Sequence, residues 1–110
     1  MIDPAARVEL LAEHAADPEV AAIILDVVLG YGANPDPAAT LAPACAAAMA
    51  DGGPQVVAYV LGTDADPQGY RTQREALVNA GCMVTETACR ASLVAAAIVL
   101  GDPTVATRPV

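Results

Sequence analysis

There is no lysine, phenylalanine or tryptophan among the 110 residues, and only three tyrosines. Without lysine, the cationic charge rests on Arg7, Arg71, Arg74, Arg90 and Arg108. These are set against thirteen acidic residues, for a net charge of -8. Nucleic-acid backbones are gripped by clustered Lys and Arg that release counterions, so scattered arginines point away from a nucleic-acid partner. An anionic membrane surface is disfavoured for the same reason. The absence of large aromatics has a different consequence. Hydrophobic residues make up 55% of the chain, which excludes disorder, yet 26 residues are alanine, so the apolar content comes in small pieces. One thin core is expected, in a chain that leans on another copy, subunit or domain.

The longest apolar stretch, residues 91–101, is interrupted by Ser92 and falls short of the ~20 residues that a bilayer requires. Met1-Ile2-Asp3-Pro4 has no basic region followed by an apolar run, so no secretory signal is expected and the reading is cytoplasmic. Cys45, Cys82 and Cys89 are odd in number and show no metal-ligand spacing, and they read as small core residues.

What is present alternates. Asp3-Pro4 is an N-cap followed by a proline at the first helical position, and Val8, Leu11, Ala12 and Ala15 follow at helical spacing to about residue 16. Residues 20–29, VAAIILDVVL, read as a strand buried on both faces. An Ala-rich helix is expected over residues 38–50, with Pro43 placing its regular part later and a looser turn before it. The second strand is residues 55–61. A third helix covers residues 70–80 and ends at Gly81, a third strand covers residues 82–85, and Thr87 caps a fourth helix over residues 88–100. Residues 102–110 read as a loose tail. The order α-β-α-β-α-β-α predicts an α/β sandwich on a small parallel sheet, one domain over residues 1–101.

In such a sheet all strands deliver their C-terminal ends to one edge, where open sheets bind ligands. Two breaker-rich loops fall there. Residues 30–37 contain Gly30, Gly32, Asn34 and Asp36, and residues 62–69 contain Gly62, Thr63, Asp64, Asp66 and Gln68. Glycine amides and the helix N-termini that follow are suited to anions through free N–H groups and the dipole. The plainer reading stands beside this one: Asp36-Pro37 and Asp66-Pro67 are helix-cap dipeptides, and the glycines serve turns. Asp26, inside an apolar strand, is either paired with backbone N–H groups or part of a ligand site. His14 lies late in the first helix, away from both loops, and reads as a surface residue. No nucleophile and no metal cluster can be assembled from the chain.

The stretches Leu25-Asp26-Val27-Val28-Leu29-Gly30-Tyr31-Gly32-Ala33-Asn34-Pro35-Asp36-Pro37 and Gly62-Thr63-Asp64-Ala65-Asp66-Pro67-Gln68, with the opening Met1-Ile2-Asp3-Pro4, resemble the C-terminal region of the FdrA family over about residues 1–101. That family is acyl-CoA synthetase-like and similar in build to the succinyl-CoA synthetase α-subunit. The resemblance implies a three-layer flavodoxin-like domain, normally preceded by a CoA-binding domain. It also implies a part in acyl-CoA synthetase-like chemistry or in the carbamoyl transfer of purine and allantoin nitrogen breakdown. The Gly-His-Ala-Gly-Ala segment through which succinyl-CoA synthetase passes phosphate has no counterpart after Gly69, and His14 does not replace it. In this reading the substrate-binding residues are Asp26, Gly30, Gly32, Asn34, Asp36, Gly62, Thr63, Asp64, Asp66 and Gln68. None is catalytic alone, and coenzyme A or a nucleotide belongs to the full assembly. The competing expectation is a non-catalytic interaction or dimerisation module with vestigial loops.

Overall fold

The computed structural model describes residues 4–109. The Asp3 cap lies outside them. From the first described residue the chain forms helix α1 (Pro4–Ala15), strand β1 (Ala22–Val28), helix α2 (Pro37–Met49), strand β2 (Gln55–Leu61), helix α3 (Tyr70–Asn79), strand β3 (Met83–Thr85) and helix α4 (Ala88–Leu100). A 3-10 turn, Ala50–Gly52, follows α2, and a second 3-10 helix, Pro103–Thr107, follows α4. The sheet is parallel with the order β1-β2-β3. Ala22 pairs with Gln55 and Val28 with Leu61, while Val57 pairs with Met83 and Tyr59 with Thr85. The alternation of helices and apolar strands therefore gives the small flavodoxin-like parallel sheet that it predicts.

Residues on alternate sides of the strands sort into two layers. Leu25, Val27 and Leu29 join Val56, Ala58 and Val60 beneath Leu41 and Cys45 of α2 and Leu77 of α3. On the other face Val57 meets Ala91 and Ala95 of α4, flanked by Tyr59, Val94 and Ile98. Helix α1 lies against α2 and sends Leu11 into the larger cluster.

Three expectations are corrected. Strand β1 is buried on one face only: Leu25 and Val27 are covered, whereas Ile24 and Val28 remain 47% and 42% exposed. The reason is width, because one helix about 10 Å across covers roughly two strands spaced ~4.8 Å apart, and α4 leaves the upper part of β1 open. Pro43 does not delay α2, which is helical from Pro37. Pro43 and Ala39, whose carbonyl loses its partner, are both on the exposed side, where water takes that place.

The tail is not loose. Val105 is buried, and the Arg90 guanidinium donates to the carbonyls of Ala106 at 2.7 Å and Arg108 at 2.8 Å.

A core of small side chains concentrates its stability in the few large ones. Leu77 is wholly buried, so Leu77→Ala is expected to cost about 2–5 kcal/mol, a large share of the ~5–15 kcal/mol typical of a domain. The urea midpoint followed by circular dichroism reads this directly.

Asp102 caps the terminal 3-10 helix, accepting from the Thr104 hydroxyl at 2.7 Å and its N–H at 3.0 Å. Those bonds hold its carboxyl below the ordinary value of 3.8. The stabilisation is present above that value and is lost as pH falls through the lower folded one. A pH titration of the Thr104 amide resonance is expected to break below 3.8, and a midpoint above it contradicts the assignment.

Candidate functional site

The ends of β1 and β2 lie side by side, and the ladder continues one step past them as Leu29 N–H donates to the Leu61 carbonyl at 2.8 Å. There the chains must come close. A Cβ on Gly62 would lie 2.6 Å from the Leu29 Cβ and 2.8 Å from the Asp66 carboxylate, so only glycine fits. The next residue of the first loop, Gly30, has φ +138°, a conformation that side chains other than glycine's rarely adopt.

Gln68 of the second loop, almost wholly buried, takes both backbone groups of Gly30. Its carbonyl accepts the Gly30 N–H at 3.1 Å, and its amide donates to the Gly30 carbonyl at 2.9 Å and to the Asn34 carbonyl at 3.0 Å. A side-chain amide has two protons to give, so both are committed.

A second glutamine repeats the device one turn into α3. Gln73, 2% exposed, accepts the Ala38 N–H at 2.8 Å and donates to the Asp36 carboxylate at 2.9 Å. Asp36 also accepts from Ala39 N–H at 3.2 Å, and its own N–H is held by the Asn34 carbonyl oxygen Oδ1 at 2.9 Å. Sequence reading passes over Gln73 because it looks like an ordinary polar helix residue. Its signal is only its spacing, four residues before Leu77 on the same buried side.

The second loop closes on itself in the same way. Asp66 accepts from the Thr63 N–H at 2.7 Å and lies 3.4 Å from the Thr63 hydroxyl, which in turn accepts from Ala65 N–H at 3.2 Å. Asp64 accepts the Arg71 N–H at 3.0 Å and pairs with its guanidinium at 3.5 Å. Tyr70 N–H goes to the Thr63 carbonyl.

The Ala38, Ala39 and Arg71 amides at the two helix starts are thus taken by Gln73, Asp36 and Asp64, so the capping reading holds for Asp36 but not for Asp66, which accepts from Thr63 within its own loop while Gly69 stands at the cap position of α3. Among the described residues of the first loop, the Tyr31, Gly32 and Asn34 N–H groups and the Asn34 side-chain NH2 donate to no protein group. Tyr31 beside them is 90% exposed.

Asp26 is not brought to the loops. It lies three residues before Leu29 on the α4 side of β1, with its carboxylate 3.0 Å from the guanidinium of Arg7, which also donates to the Asp26 carbonyl. That carbonyl faces the unpaired side of β1, so Arg7 covers part of an open sheet edge. The ion pair is half exposed on its Asp side and contributes at most ~1 kcal/mol.

His14 is exposed in the last turn of α1. Cys45 and Cys82 are buried, as expected of small core residues, but Cys89 is exposed. No group of three or more His, Cys, Asp or Glu suited to a metal occurs among the described residues. No described helix is long and apolar enough to cross a membrane. An open apolar cavity of about 330 Å³ lies elsewhere, between α1 and α2, where Val8 and Ala12 face Ala44 and Ala48.

A three-layer α/β unit with a parallel sheet, its strand ends joined through two stapled loops, defines the chain as a flavodoxin-like domain. The sequence model of the CoA-ligase family matches residues 1–99, and the chain belongs to that family. It is 41% identical over 100 residues to the uncharacterized protein YahF of Escherichia coli (strain K12), a match covering 86% of this chain and 19% of YahF. The chain therefore spans about a fifth of the length of that curated relative.

Replacing Gln73 by leucine keeps the buried volume and strands the Ala38 N–H. Gln73→Leu is expected to lose about 1–3 kcal/mol and to raise amide exchange at Ala38 and Ala39. Unchanged exchange there would mean that the staple does not hold the start of α2.

Proposed function

We propose that this chain is the ligase-type part of an acyl-CoA synthetase-like assembly of the FdrA kind, working in carbamoyl or acyl transfer during purine or allantoin nitrogen breakdown. The observation that carries the reading is membership of the CoA-ligase family over nearly the whole chain, with the two loops of the resemblance meeting at one sheet edge. In this reading Gln68, Gln73 and the three aspartates build the edge and do not touch the ligand. Gly32 N–H and the Asn34 amide are the groups offered to a substrate carboxylate, phosphate or amide oxygen.

The local electrostatics argue for a partner. Asp36, Asp64 and Asp66 crowd the edge, and Arg71, the cation placed beside them, is paired with Asp64. An anionic substrate is repelled there unless another subunit or domain brings basic groups. Coenzyme A or a nucleotide belongs to that other part, and the chain is inactive alone.

A second reading, a non-catalytic interaction or dimerisation module with vestigial loops, draws on the commitment of the Gln68 and Gln73 amides and of Arg71 to the protein's own groups and on the open face at Ile24, Val28 and Leu61.

An amide NMR titration with carbamoyl phosphate, coenzyme A and a nucleotide separates the two. The first reading expects saturable shifts at Gly32 and Asn34 with at least one of the three. It also expects their loss in Asn34→Asp, which keeps the oxygen that accepts from Asp36 but removes the NH2. Silence at both positions with all three ligands, together with concentration-dependent dimerisation in sedimentation, favours the module.

A further inference from the structure

The link from α2 to β2 carries the only Asp-Gly pair of the chain, Asp51-Gly52, and the sequence has no Asn-Gly pair. Both residues are exposed, in the short 3-10 turn Ala50–Gly52. Asp51 stands at φ 54° and ψ 42°, the one positive φ outside glycine among the described residues, and an L side chain is strained there. Among the described residues its carboxylate accepts no hydrogen bond and meets no cation. Gly52 follows at φ +78°, with open space where a side chain would stand. A carboxyl carbon in this position is one ring closure away from the next residue's amide nitrogen, provided that nitrogen carries a proton and can turn toward it. The other aspartates and both asparagines fail that condition. Asp3, Asp17, Asp36, Asp66, Asp102 and Asn34 precede proline, which has no N–H. Val27, after Asp26, lies inside the β1–β2 ladder; Ala65, after Asp64, donates to the Thr63 hydroxyl; Ala80, after Asn79, donates to the Ala76 carbonyl.

We propose that Asp51 is a site of spontaneous backbone modification, at which the folded chain converts aspartate to isoaspartate. The Gly52 nitrogen turns about the Asp51 ψ bond and attacks the Asp51 carboxyl carbon. The new C–N bond closes a five-membered succinimide, and one carboxyl oxygen leaves as water with the carboxyl proton and the amide proton. Water then adds to one of the two imide carbonyls and the C–N bond there breaks, returning a proton to nitrogen. Opening at the side-chain carbonyl restores aspartate. Opening at the main-chain carbonyl leaves the chain running through the side chain, with a free α-carboxylate. One water leaves and one returns, so no other reactant is needed. Leaving the left-handed conformation relieves strain, which favours the turn opening at this residue. The product has one more methylene in its main chain, which stretches the turn that Gly53 N–H closes onto the Ala50 carbonyl at 3.1 Å. The site lies at the start of β2, on the edge of the sheet opposite the two loops, and is independent of the ligase reading.

The test incubates the full folded chain at neutral pH and physiological temperature, beside a sample held unfolded in urea. Aliquots are digested with a protease that cuts before aspartate but not before isoaspartate, and the fragments are mapped by electron-transfer mass spectrometry. The expected result for the folded chain is progressive loss of the cut at Asp51 alone, with a transient species lighter by one water and a product of unchanged mass that carries the isoaspartyl cleavage signature. Amide exchange at Gly53 should rise as the product accumulates. Asp51→Glu, whose ring closure would be six-membered, should keep the chain unmodified. Asp51→Asn tolerates the same backbone and should reach the same product faster, with release of ammonia. The proposal is overturned if the Asp51 cut survives in the folded chain over a time that removes it in urea, since the fold then protects the pair. It is equally overturned if isoaspartate arises in the folded chain at Asp26, Asp64 or Asn79 as fast as at Asp51.

Discussion

The geometry of the strand ends depends on two buried glutamine side chains. Gln68 and Gln73 carry peptide-like amides into a place where the backbone ladder has ended but the chain has not yet reached solvent. A buried N–H without a partner costs more than a typical hydrogen bond contributes. Gly30 and Ala38 would each present such a group if the glutamines were absent. The loops therefore cannot part cheaply, and the start of α2 is fixed relative to α3 by chemistry, where bulk is scarce. In a chain whose apolar content is so largely alanine, hydrogen bonds of this kind do what a phenylalanine or tryptophan would do in a thicker core.

Much of the fold is legible from the letters. Strand β2 and helix α4 fall where apolar runs and the Thr87 cap place them, and the other elements lie within about two residues, a normal uncertainty of boundary assignment. The errors share one cause, which is that a sequence does not say what lies next to a segment. The run 20–29 looks like a strand buried on both faces, yet α4 is too narrow to cover all of it, so Ile24 and Val28 stay open. Pro43 looks disruptive and is tolerated because its side of α2 meets water. The tail looks loose because the clamp that orders it, Arg90, sits 16 residues before Ala106.

The site divides in the same way. That two loops converge on one edge follows from parallel topology alone and is readable in advance. Which of their groups are free is not, because the accounting is three-dimensional. Asp36 and Asp64 accept from helix-start amides and Asp66 accepts from Thr63 within its own loop. Gln68, a plausible donor to substrate by type, has already given both protons to the first loop. Asp26, the most unusual residue in the sequence, belongs to the open edge of β1 through Arg7 and has no part in the loops.

The commitment of these groups limits how a CoA-ligase domain can use such an edge. A site able to neutralise an anion by itself keeps its helix-start amides and cations uncommitted, and this edge has committed most of both to its own shape. What remains is a rigid, acidic rim with a few outward donors, joined to an uncovered strip of sheet at Ile24, Val28 and Leu61. A rim of this kind is preorganised and therefore imposes little ordering cost on whatever meets it, but it repels the charge that a phosphate or carboxylate carries. The two properties are reconciled when the cationic half of the site arrives from another surface. Under the proposed function the acidic residues serve two ends: Asp36 and Asp64 hold the helix starts that position the rim, and the charge of all three would attract a basic partner that completes it.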